Sequence, residues 1–339
     1  MKLQRNDFDQ LIFDMDGVIT SEYIYWDTAA LTVYELLYSW EAYGKQDIDR
    51  EWCRKNVQIL YDTIFCGGKT VQAVKRLGVN TNWDLTYLVF CVSKYLDPEL
   101  TIFDASHFES VCMFIENIEI QPPELYVGIE GLVATVIPRT PGYFKRSTGE
   151  LWKDLQNRFR RWFLGDETLS GLKEREEPIL PLKEIREVLQ TLKNEGFRLG
   201  IGTGRPREEI LYPLQMWGLD KYFDPKLCAT YDEVKQAERE TGTEIPLAKP
   251  HPFVFLKAAF GERFSDEELC RGAVPPEMAG RCLVIGDAPS DLLAARAGGF
   301  PFAAVLTGIE GKGARTYFEE NHADMIWNSI LDLGEENEN

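Results

Sequence analysis

Asp14 and Asp16 stand one residue apart at the end of a short apolar run, "LIFDMDGVIT", with Gly17 directly behind them. Two carboxylates this close repel one another and are costly to desolvate, so folding alone gives no reason to end a buried strand with them. A cation or a reacting group belongs there. Other apolar runs also end in polar residues: Thr203 and Gly204 follow "RLGIG", Lys249 precedes "PHPFVFLKAA", and Asp287 follows "CLVIG", with Asp291 four residues on. Clustered carboxylates with a lysine and a hydroxyl are the group types that bind a divalent cation, exchange protons and offset a substrate anion.

The elements that must position these residues follow from hydrophobic spacing. "QLIFDMDGV" reads as a buried strand. From about residue 21 to residue 177 the apolar spacing is helical and rich in Trp and Tyr, as in "YWDTAALTVYELLYSW" and "WDLTYLVFCVSKYL". Beyond "EEPILPLKEIREVLQTLKNEG" strands and helices alternate, which implies a parallel sheet with helices on both faces. The opening strand has no partner nearby, so it is expected to join this later sheet. The expected fold is α/β: a doubly wound, Rossmann-like core of residues 1–20 and 178–339, interrupted by a mainly helical cap domain, residues 21–177. Ser21 marks the outward crossing, and Pro178 and Pro181 the return. In such a sheet the carboxyl ends of the strands share one edge, where ligands bind at the switch point. The acidic tail "GEENEN" is expected to fray.

Composition narrows the partners. The net charge of -18 disfavours nucleic acid and anionic membranes, both polyanions, and requires local positive charge or a metal to receive an anionic substrate. The seven cysteines include no C-x-x-C pair and the three histidines do not cluster, so neither a disulfide framework nor a zinc site is indicated. The N-terminus is polar and no apolar run approaches ~18 residues, so the expected location is the cytoplasm, without signal peptide or membrane span.

The order "DMDGVIT", "GTGR", "KPHP", "GDAPSD" resembles the four motifs of the haloacid dehalogenase superfamily of phosphatases and phosphotransferases. The resemblance covers about residues 8–21 and 180–310, and the helical middle is similar to the family's cap only in placement and helicity. It implies a Mg²⁺-dependent phosphate monoester hydrolase acting on a small phosphorylated metabolite. Asp14 would attack phosphorus, forming an aspartyl-phosphate, and Asp16 would serve as general acid and base. The metal would take carboxylate oxygens of Asp14 and Asp287 and the backbone carbonyl of Asp16. Thr203, Gly204 and Lys249 would hold the phosphoryl oxygens, with Asp291 behind them steadying Lys249 or a metal-bound water.

Each residue also has a structural reading. Asp16-Gly17 suits a turn, Thr203 an N-cap, Lys249 a solvated side chain, Asp287 a cap, and Asp291 the first turn of a helix. Their joint occurrence in order favours the catalytic reading. Four further residues are candidates for the substrate. Arg205 either contacts it or pairs with an acid on the surface; Lys69, in "CGGKT", has a position that resembles the specificity loop of this family's caps, with a turn and helix start as the alternative; and Arg160 and Arg161 are assigned to the basic face of an amphipathic helix, "LWKDLQNRFRRWF". A solvated basic face is the alternative for that helix. Two other functions stay open. One is a phosphomutase or phosphotransferase of the same superfamily; the other is a non-enzymatic phospho-receiver or regulatory module. Oligomeric state is not legible.

Overall fold

The structure is a computed structural model, which describes residues 7–79, 81–243 and 245–333. The tail expected to fray, 334–339, lies outside them. Six strands form one parallel sheet: β1 (Gln10–Phe13), β2 (Arg198–Gly202), β3 (Cys228–Ala229), β4 (Cys282–Gly286), β5 (Phe302–Val305) and β6 (Met325–Trp327). Their order is β3-β2-β1-β4-β5-β6, which makes the fold the doubly wound α/β sheet the sequence implied. β1, the opening strand, is central, with Phe13 opposite Ile201 of β2 and Ile285 of β4.

Alternation along the strands divides the core into two layers. On one face Ile12, Val284 and Ala304 pack with the helices Phe253–Phe260 and Pro289–Ala297; on the other Leu11, Phe13, Leu283 and Ile285 pack with Leu182–Asn194 and Arg207–Met216. β1 and β4 are buried on both faces, which is why they read as continuous apolar runs.

The chain divides into two compact units, Met1–Glu22 with Glu176–Asn339, and Tyr23–Arg175. The second is built of helices. Its central helix, Tyr23–Tyr38, is buried on nearly every side and packs against Val57–Ile64, Asn82–Leu96 and Glu150–Leu164. No helix among the described residues is long and apolar enough to cross a membrane. The seven cysteines are free thiols.

Candidate active site

β1 ends between its two neighbours, so the residues that follow it are delivered to the carboxyl edge of the sheet. The Asp14 N–H still donates to Ile285 O, 2.9 Å, and Asp287 emerges one residue after β4. Asp291 is the third residue of the helix Pro289–Ala297, where its Oδ2 accepts from the Ala288 N–H at 3.2 Å. Lys249 reaches in from the segment before Phe253–Phe260. Its Nζ lies 2.9 Å from Asp14 Oδ1 and 2.8 Å from Asp291 Oδ1, with only 7% of the side chain exposed. The structure therefore brings Asp14, Asp287, Asp291 and Lys249 together, and shows Asp291 holding the lysine.

Asp14, Asp287 and Asp291 each offer an oxygen within 4.8 Å of the other two. Three carboxylates against one ammonium leave the group two charges negative, and an all-oxygen donor set suits a hard divalent cation such as Mg²⁺. The backbone is shaped around Asp287: a Cβ on Gly308 would lie 1.9 Å from Asp287 Oδ2, and one on Gly17, which has φ +70°, would lie 2.3 Å from it. Thr307 Oγ1 donates to Gly17 O and ties the two loops together. The residues fit a metal, and Gly308 and Thr307 are parts of the site that no motif revealed.

Burial pushes the Asp14 carboxyl up to about 7, with Asp291 and Asp16 adding to the effect and Lys249 opposing it. Burial alone would lower the Lys249 ammonium, but Asp14 and Asp291 raise it above its ordinary value. The lysine stays charged, and the carboxylates beside it have too little positive charge.

Asp16 has a different partner from Asp14. Arg205 Nε stands 3.0 Å from both Asp16 oxygens, and Arg205 Nη2 donates to Asp16 Oδ1 and, at 3.0 Å, to Thr20 Oγ1. Nη1 of the same guanidinium donates to Glu176 Oε1. Arg205 is 3% exposed, so the expected pairing with an acid on the surface is corrected to a buried one, with Asp16 and Glu176 as its acids. Glu176 was missed entirely. It sits in "EREEP", a charged run indistinguishable by composition from a solvated turn. Burial raises its carboxyl, Arg205 opposes the shift and Asp16 adds to it.

Thr203 is buried at the end of β2, its N–H bonded to Ala229 O at 3.0 Å. Its Oγ1 accepts from the Arg205 N–H at 3.2 Å, which leaves the hydroxyl proton available for an anion. It is not an N-cap, because the following helix is capped at Pro206. Gly204 is exposed.

Lys69, Arg160 and Arg161 belong to the helical unit. Lys69 is exposed at the first position of the helix Lys69–Arg76, after Gly67 (φ +63°) and Gly68 (φ +95°). Arg160 is exposed with Lys153 and Asn157, whereas Arg161 does not lie on that face. It donates to Glu35 Oε1, which also accepts from Arg158 Nη1 at 2.6 Å, while Glu35 Oε2 accepts from Trp162 Nε1 at 2.7 Å. At about 100° per residue Arg158 falls about 20° beyond Leu151, beside the apolar stripe, and Arg161 about 80° beyond it on the same flank, and both reach the buried Glu35.

Comparison with known proteins shows the family. A family model for the haloacid dehalogenase-like hydrolases matches residues 8–299. The pyrophosphatase PpaX of Bacillus cereus strain AH820 is 27% identical over 158 residues, 47% of this chain and 60% of that protein. The chain therefore spans about three fifths of the length of the curated relatives it matches. A Northeast Structural Genomics Consortium target solved by X-ray crystallography is 28% identical with a TM-score of 0.75, covering 96% of this chain and 97% of that one. A structure described as a β-phosphoglucomutase of Thermotoga maritima aligns over 96% of both chains at 15% identity and a TM-score of 0.44.

Proposed function

The chain belongs to the haloacid dehalogenase-like hydrolases, and we propose that within this family it is a Mg²⁺-dependent phosphatase, hydrolysing a monoester of a small phosphorylated metabolite through an aspartyl-phosphate on Asp14. One observation carries the reading: Lys249 bridges Asp14 and Asp291 beside Asp287, a set one divalent cation short of neutrality. Nothing in folding requires four buried or half-buried charges at one strand end.

In this reading Asp14, Asp287 and the Asp16 carbonyl would hold the metal, which would supply positive charge against the phosphoryl oxygens. An Asp14 oxygen attacks phosphorus, the P–O ester bond breaks, and the leaving oxygen takes its proton from Asp16. Asp16 then accepts a proton from water as the water oxygen attacks phosphorus. The acyl-phosphate bond breaks, inorganic phosphate leaves and Asp14 is regenerated. Lys249, the Thr203 hydroxyl and the Gly204 N–H hold the phosphoryl oxygens through both steps. The expected partner is a small phosphorylated molecule rather than nucleic acid or membrane, in keeping with the net charge of -18. Seven free cysteines suit a reducing compartment such as the cytoplasm.

Purified protein with Mg²⁺ is to be screened against phosphorylated metabolites, reading phosphate release. Pyrophosphate belongs in the panel because curated relatives carry that substrate in their names. Release from one or a few monoesters, lost on chelation, supports the proposal. Release from pyrophosphate alone makes the substrate an anhydride, and exchange between sugar phosphates without release makes the protein a mutase.

A further inference from the structure

We infer that Arg205 and Glu176 form a positioning pair that fixes the carboxylate of Asp16 for its proton-transfer role. The inference rests on the phosphatase reading above and names two residues that the reading does not use. Arg205 is 3% exposed and Glu176 4%, whereas the Asp16 side chain keeps 22% of its surface open. The guanidinium fork is planar and rigid. One edge, Nε and Nη2, grips Asp16; Nη2 also reaches Thr20 Oγ1, and Nη1 is anchored on Glu176 Oε1. Thr20 adds a contact of its own, donating from Oγ1 to Met15 O at 3.0 Å or Asp16 Oδ1 at 3.3 Å.

Glu176 is a costly group for a fold to bury. Its Oε2 has no hydrogen-bond partner among the described residues, and a buried, half-satisfied carboxylate destabilises the fold, so stability alone does not account for it. Its place is set by a short pairing of the two crossing segments: Ser21 N–H to Glu177 O at 3.0 Å, Ile179 N–H to Ile19 O at 3.0 Å, and a bridge between Thr20 and Pro178. The segment that delivers Glu176 is thus stitched to the one that leaves Asp16. Arg205 joins them a second time, through side chains. Asp14, by contrast, is held by Lys249, so each opening aspartate has its own cation.

The test compares an alkyl phosphate, whose leaving oxygen needs a proton, with p-nitrophenyl phosphate, whose leaving group needs little help. Asp16→Ala sets the reference. Arg205→Lys keeps the charge but loses the planar fork that grips Asp16 along one edge and reaches Glu176 with its other nitrogen, and Glu176→Gln keeps shape while loosening the anchor. Both variants are expected to lose about tenfold or more in kcat/KM on the alkyl ester, much less on p-nitrophenyl phosphate, and nothing further on the alkyl ester when combined with Asp16→Ala. Equal losses on both esters in step with a lowered melting temperature would make the pair merely structural and overturn the inference, as would additive losses on the Asp16→Ala background or no loss at all. Should Arg205→Lys not fold, Glu176→Gln decides alone. A wild-type protein inactive on both esters overturns the phosphatase reading and this inference with it. Activity with a leaving-group split in Asp16→Ala but in neither of the other two overturns only the inference.

Discussion

The ammonium of Lys249 lies 2.9 Å from Oδ1 of Asp14, and neither side chain is more than 11% exposed. Removing one member of a buried pair leaves the other charge uncompensated, typically at a cost of about 3–5 kcal/mol. Lys249→Met, which keeps the stem and removes the charge, is expected to lower stability on that scale and kcat by about 10²-fold or more. Added Mg²⁺ should restore part of the stability but not the rate, since it can replace the missing charge and not the contact with substrate. Denaturant unfolding with and without Mg²⁺ checks this. Wild-type stability in the variant would show that the pair contributes nothing.

Gly308→Ala is a test of the metal site that leaves every carboxylate in place. The new methyl would lie 1.9 Å from Asp287 Oδ2, so Asp287 must move. Disturbing the groups that position a ligand typically weakens metal affinity by about 10–100-fold. Calorimetric titration with Mg²⁺ should show such a loss while the circular dichroism spectrum stays native. Unchanged affinity would mean that Asp287 holds no metal.

The pH dependence of stability has one clear contributor in the helical unit. Burial pushes the Asp27 carboxyl up to about 6, with Asp62 adding to the shift and Arg175 opposing it. Because the folded pKa lies above the unfolded one, the folded state keeps the proton longer, and this group's stabilisation is lost as pH rises from about 4 to about 6. Asp27→Asn escapes the loss. Its melting temperature relative to wild type should therefore climb across that window and level off above it. A difference independent of pH would place the Asp27 carboxyl near its ordinary value.

Arg160 and Arg161 are adjacent in sequence and should behave differently. Arg161→Ala removes one donor from the buried Glu35 and is expected to lower the melting temperature, and Glu35→Ala to lower it further because Arg158 Nη1, Arg161 Nη2 and Trp162 Nε1 all lose the acceptor it provides. Arg160→Ala, on the exposed face, should leave stability within about 0.5 kcal/mol. If it contributes to binding a second anionic group, only KM for a polyanionic substrate rises. Thermal scans of the three variants separate the roles, and a destabilised Arg160→Ala would contradict the assignment.

The legibility of these sites in the sequence follows from their range. Asp14, Thr203 and Asp287 close strands whose unbroken apolar runs can be recognised locally, and the parallel sheet follows from their alternation with helices. β3 and β6, two and three residues long, give no periodic signal and are stabilised by their neighbours. Glu176 acquires its meaning only when Arg205, 29 residues on, folds back against it. Gly308 matters because of a neighbour brought close by the sheet, and one glycine in a loop looks like any other. Arg158 was within reach of helical arithmetic, because its angle places it beside Leu151 at the edge of the apolar stripe; its charge alone suggests the solvent.

The central claim is that Asp14 carries the phosphoryl group, and the direct measurement is mass spectrometry of acid-quenched protein after mixing with substrate and Mg²⁺. Asp16→Asn should retain attack on p-nitrophenyl phosphate while slowing hydrolysis of the acyl-phosphate, so the intermediate accumulates. The account predicts a single phosphoryl adduct on the peptide containing Asp14, formed with the burst of p-nitrophenol and absent in Asp14→Asn, which should not turn over. Turnover by Asp14→Asn at the wild-type rate, or a burst with no adduct on Asp14, would contradict it.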